Sequence, residues 1–176
     1  MCSVATTDAP ARTLVVGLGN PILGDDGIGW RIADALERAL AADPALRLAV
    51  GPLEIDRLAV GGLRLMERLV GYERVVLIDA VLDGGPPGAL HCGALSEVDG
   101  RTAGHLDSAH DTTLSSALTM GSTLGAHLPR ELTVVTVSAG RVNEFDEALT
   151  PAVGAAVRPA VERIVELLRR PVGVPG

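Results

Sequence analysis

Aromatic side chains are almost missing from this sequence: one Trp, one Tyr and one Phe among 176 residues. Stacking platforms for single-stranded nucleic acid need several such rings, which argues against that class. Long basic runs are missing too, and the formal net charge is −7. A phosphate-backbone partner fits poorly, whereas a basic or neutral protein, or a cation, suits the charge. There are only two cysteines, Cys2 and Cys92, and no CxxC pair. A disulfide framework would need more, so a reducing compartment is the expectation. The first twelve residues hold no apolar stretch of the kind a signal peptide carries. No apolar run approaches the roughly 18 residues of a membrane-spanning helix. These absences predict a soluble, cytoplasmic protein.

Nucleophile signatures are lacking as well. There is no GxSxG elbow, and neither cysteine sits in a Cys/His signature. Ser108 and Ser138 have no recognisable base at a known spacing. A phosphate-binding GxxxxGK loop is also absent.

What is present is aliphatic. Hydrophobic residues make up 47% of the chain, so the core must be built from Val, Leu, Ile and Ala. That composition suits a β-branched parallel sheet covered by Leu/Ala helices. The length fits one domain. Residues 1–12 read as a disordered tail, 13–170 as a single α/β domain, and 171–176 as a frayed tail.

Residues 13–29, Thr-Leu-Val-Val-Gly-Leu-Gly-Asn-Pro-Ile-Leu-Gly-Asp-Asp-Gly-Ile-Gly, read as a strand, a turn and the start of a helix. The helix runs from about Asp26 to Ala42, with Ile28, Ile32, Leu36 and Leu40 on one face. A second strand is expected over 46–55, broken near Gly51-Pro52. A second helix follows over 57–70, with Leu58, Leu65 and Leu69 inward. Residues 74–80 hold four consecutive apolar positions and so predict a central strand, ending on Asp79. A turn at Asp83–Gly88 leads to a fourth strand over 89–95, too close for a helical crossover and therefore antiparallel, at an edge. A polar loop covers 96–111. A third helix spans 112–128, with Leu114, Leu118 and Leu124 inward, and a fifth strand spans 132–138. The last helix covers 151–170, with Val153, Val157, Val161, Ile164 and Leu168 on one side and Pro159 as a possible kink. The expected fold is a three-layer α/β/α sandwich around a five-stranded, mostly parallel sheet with one antiparallel edge strand.

In such sheets ligands gather at the carboxyl ends of strands. The loop Gly17–Gly24 lies there but lacks the third glycine of a dinucleotide fingerprint, since position 22 is Ile. It leads into Asp25-Asp26, which would repel a pyrophosphate. Acids in a first helical turn can simply be caps, so capping and site readings both stand. Asp79 follows a buried strand, where an isolated charge is costly. The ends of strands one and three can be neighbours, which would bring Asp26 and Asp79 together. His110 precedes a helix at the same edge. Two carboxylates and one histidine make a plausible incomplete metal site of borderline hardness. His105 and His110 form a His-x4-His spacing but lack the second ligand pair of a zinc site. His91 reads as a surface or packing residue, and His127 has no clear role.

Residues 16–29 resemble the opening motif of the nickel–iron hydrogenase maturation proteases. The resemblance continues with Val-Val-Leu-Ile-Asp-Ala (75–80) and Ser-Ala-His-Asp-Thr-Thr-Leu (108–114), and covers roughly 13–168. It implies an endopeptidase that removes the C-terminal extension of a hydrogenase large-subunit precursor after nickel insertion. It implies that Asp26, Asp79 and His110 are the catalytic, metal-binding residues. Asp26 stands where some members carry Glu. The nickel is expected to arrive with the precursor, and the protease is expected to be a monomer. Asp25 is left as the capping acid. Asn143, Glu144 and Phe145 are expected to help hold the precursor. A non-cleaving assembly module for the large subunit is the alternative. A peptidyl-tRNA hydrolase shares the Gly-Leu-Gly-Asn-Pro opening, but no histidine follows until His91 and the acidic charge suits tRNA badly.

Overall fold

In the computed structural model the described residues are 12–98, 113–142 and 145–172. Five strands form one sheet: β1 (Thr13–Leu18), β2 (Leu53–Leu58), β3 (Arg74–Val81), β4 (Leu90–Ala94) and β5 (Glu131–Ser138). Their spatial order is β2-β1-β3-β5-β4, parallel throughout except for β4 against β5. The expected sheet, including its antiparallel edge, is therefore present. All eight residues of β3 are buried, as its apolar run requires. The turn after β3 uses Gly84 and Gly88 at positive φ, and the Gly88 N–H donates to the Ser138 carbonyl at 2.8 Å. This carries the chain past the end of β5 to its outer side.

Strand alternation sorts the core into two faces. Val15, Val76, Ile78, Val135 and Val137 point one way. They meet α1 (Ile28–Ala42) and the last helices, α6 (Pro151–Ala155) and α7 (Val157–Arg169). Leu14, Val16, Leu18, Leu77 and Val134 point the other way, against α3 (Gly62–Leu69) and α5 (Leu114–Thr123). The result is the three-layer sandwich. Ile28, Ile32, Leu36 and Leu40 all lie in the first face. Among the described residues no helix is long and apolar enough to cross a membrane.

Several boundaries differ from expectation. Residues 46–50 belong to helix α2 (Pro44–Val50), not to a strand. Asp43 caps it, accepting from the N–H groups of Ala45 and Leu46 at 3.0 Å, with Pro44 in the first turn. Leu58 closes β2 and is not in a helix; α3 starts only at Gly62. A four-residue helix, α4 (Leu95–Val98), follows β4 where a loop was expected. α5 ends at Thr123, before Gly125 turns the chain at φ 76°, so Leu124 is 78% exposed and not inward. The last helix is divided at Ala156. Pro159 has no N–H for the Ala155 carbonyl and its ring crowds that group, so the break falls one turn before the proline.

Candidate functional site: an acidic turn at the carboxyl edge

The turn after β1 is shaped by Gly19, at φ 124°. A Cβ there would lie 1.9 Å from the Asp26 carbonyl oxygen, so both the angle and the space demand glycine. The Gly19 N–H and the Trp30 indole N–H both donate to the Leu58 carbonyl, at 3.1 and 3.3 Å, fastening the turn to the end of β2. The Asn20 N–H donates to Asp26 Oδ2 at 2.6 Å, and the Asn20 side chain accepts from the Ile22 N–H at 3.3 Å. Asp26 itself is 9% exposed and lies in a 3-10 turn, Gly24–Gly27, that leads into α1.

Asp79 sits two residues before the end of β3, fully buried, with Oδ1 accepting from the Ala80 N–H at 2.9 Å. Its register partner on β5 is Thr136, also buried. β1 and β3 are hydrogen-bonded neighbours, as the sequence reading required. A Cβ on Gly29 would be 2.2 Å from the Leu18 carbonyl oxygen and 2.6 Å from that of Ile78. The start of α1 therefore rests on the ends of both strands, three residues after Asp26 and one residue before Asp79. The two acids share the carboxyl edge.

Asp25 is structural, but not as a cap. Neither the 3-10 turn nor α1 has a side-chain cap at its N-terminus. Instead the Asp25 carboxylate, fully buried, accepts from Gly140, Arg141 and Thr150 in the loop after β5. Thr150 occupies the N-cap position of α6, yet its hydroxyl accepts no N–H from that helix and donates instead to Asp25. No local pattern near residue 25 announces partners so distant in sequence.

His110 lies outside the described residues, as do His105, Asp107, Ser108, Asp111, Asn143, Glu144 and Cys2. Among the described residues no group of three or more His, Cys, Asp or Glu is arranged to hold a metal. Of the predicted site residues, Asp26 and Asp79 lie at the same carboxyl edge of the sheet. His91 is half exposed, with Nε2 3.9 Å from Asp83 Oδ2, and His127 pairs with Glu73 at 2.9 Å. Cys92 is a free, half-buried thiol. Beside Thr136 lies a cavity of about 220 Å³ lined by Asp83, His91 and Glu97. The Gly85 N–H, foremost, holds the Asp83 carboxyl below its usual range. Phe145 is 87% exposed.

Residues 59–167 match the HycI family of hydrogenase maturation proteases. Among curated relatives, the hydrogenase expression/formation protein HupD of Thiocapsa roseopersicina is 28% identical over 155 residues, covering 88% of this chain and 66% of its own length. This chain therefore spans just under two thirds of that relative. The hydrogenase 2 maturation protease of Escherichia coli K12 is 28% identical over 159 residues, covering 90% and 91%. The solved structure of the hydrogenase maturating endopeptidase HybD from E. coli superposes with a TM-score of 0.68 at 26% identity, covering 90% and 92%. The chain belongs to the hydrogenase maturation protease family.

Proposed function

We propose that this chain is an endopeptidase that removes the C-terminal extension of a nickel–iron hydrogenase large-subunit precursor after nickel has been inserted. The observation that carries the reading is the placement of two buried carboxylates, Asp26 and Asp79, at one carboxyl edge of a sheet with this family's fold. Buried carboxylates at such an edge are costly unless they serve a cation or donors.

The metal is cargo of the precursor, held there by soft thiolates, and the protease adds harder ligands. Asp26 and Asp79 supply carboxylate oxygens, and His110 an imidazole nitrogen. Hydrolysis adds a water oxygen to the scissile carbonyl and breaks the C–N bond. The retained part gains a carboxylate, and the released extension leaves with its new amine protonated. A metal beside that carbonyl polarises it or acidifies the attacking water. The protease would then read the presence of nickel, and trimming would follow loading. A cytoplasmic enzyme accords with the free Cys92 thiol, and we take it to act as a monomer.

The test is incubation with nickel-loaded and nickel-free precursor, followed by mass spectrometry of the large subunit. The loaded precursor should be shortened and the empty one left intact. Equal trimming of both would remove the nickel-reading step. Binding of the precursor without any shortening would favour the non-cleaving assembly module.

A further inference from the structure

The chemistry above makes no use of Asp25, although its carboxylate is fully buried one residue from Asp26. Oδ2 accepts from the Gly140 N–H, the Arg141 N–H and the Thr150 hydroxyl, each at 3.0 Å. Oδ1 accepts from the Thr150 N–H at 2.7 Å. The Asp25 N–H in turn donates to the Arg141 carbonyl at 2.8 Å. Both ends of the loop joining β5 to α6 are gathered on one side chain.

The middle of that loop is tied to the same turn. The Gly24 N–H donates to the Asp146 carbonyl at 2.6 Å, and the Asp146 N–H to the Ile22 carbonyl at 3.1 Å. Leu23 and Asp146 thereby form an isolated parallel bridge. Ile22 and Phe145 immediately precede the bridged pair. They are 46% and 87% exposed, next to the turn that holds Asp26.

We propose that Asp25 is a positioning residue: it fastens residues 139–142 and 145–150 to the acidic turn, so that they stand as a fixed wall beside Asp26 against which the precursor lies. This rests on the reading of Asp26 as a functional acid. A carboxylate only accepts hydrogen bonds, and it matches four donors without conflict. Asparagine has the same size but would turn its own N–H groups toward main-chain N–H groups. A loosened wall must be ordered each time precursor binds, which weakens binding without altering the bond-breaking step.

The experiment is steady-state trimming of full-length, nickel-loaded precursor by the wild type, Asp25→Asn and Thr150→Val, with a thermal melt of each. The wild type trims. Asp25→Asn raises KM roughly tenfold, the scale of one or two lost charge-assisted bonds, and leaves kcat within about twofold. Thr150→Val removes one of the four donors and moves KM the same way by a smaller factor. Unchanged KM in Asp25→Asn overturns the proposal. So does a fall in kcat alone, which would report only fewer folded molecules. Should Asp25→Asn fail to fold, Thr150→Val decides, and wild-type KM there overturns the proposal. Failure of the wild type to trim overturns the protease reading itself, a result none of the variants can mimic.

Discussion

Gly17 and Gly29 meet backbone to backbone, such that a Cβ on Gly17 would lie 2.3 Å from the Gly29 carbonyl oxygen. Helix α1 consequently lies directly on β1, with no side-chain layer between them at this point. That contact sets how far the acidic turn projects beyond the sheet. Gly29→Ala should destabilise the fold by about 1–3 kcal/mol or more through forced displacement of backbone. Chemical denaturation measures it; a variant as stable as the wild type would contradict the close approach.

Replacing either edge acid by its amide tests the site with little change of volume. Asp79→Asn and Asp26→Asn should each slow precursor trimming by roughly a hundredfold or more, since on the proposed reading each carboxylate faces the metal and its loss removes several kcal/mol of charge stabilisation. The double variant should be little worse than either single one, because the two act on one centre. Independent, multiplying losses would separate the acids into unrelated roles.

Phe145 offers the opposite profile. Exposed as it is, Phe145→Ala should leave stability within about 0.5 kcal/mol. Its expected effect is a raised KM for precursor, with kcat nearly unchanged. Unaltered precursor binding by Phe145→Ala would reduce the ring to a surface residue.

Acid should weaken the β2 edge. Glu54 accepts from the Tyr72 hydroxyl at 2.6 Å, from Arg12 at 3.0 Å and from Arg68 at 3.2 Å. These partners, the Tyr72 hydroxyl foremost, lower its pKa to about 2 from an ordinary 4.5. A carboxylate with a depressed folded pKa contributes stability that is present above its unfolded pKa. That contribution is lost as pH falls from about 4.5 toward about 2. Melting temperatures of Glu54→Gln and wild type should therefore differ near neutrality and converge across that window. A constant gap down to pH 2 would remove Glu54 as the cause.

Much of this architecture could be read from side-chain order. The four-residue recurrence of Ile28, Ile32, Leu36 and Leu40 and the run Val75–Ile78 each encode one buried face or strand, because burial alone dictates them. Asp79 was visible because a charge after such a run is physically anomalous. Local chemistry that competes with periodicity was harder to see. Leu46 and Leu48 look strand-like, yet Asp43 and Pro44 start a helix there. Leu124 keeps the apolar spacing of α5 but lies beyond its end. Asp25 shows the deeper limit. Its identity as an acid is plain, but its role lies in donors that only tertiary folding supplies.

Those donors lie 115 to 125 residues further along the chain. The edge that carries Asp26 is completed by Gly140, Arg141 and Thr150, after β5 has slotted between β3 and β4. Contacts of such long sequence separation form late, once their loop-closure entropy has been met. During synthesis, the amino-terminal half therefore emerges before the donors that hold Asp25 exist. A chain released before Thr150 carries both edge carboxylates but lacks the donors that hold Asp25, so its acidic turn stays unfastened.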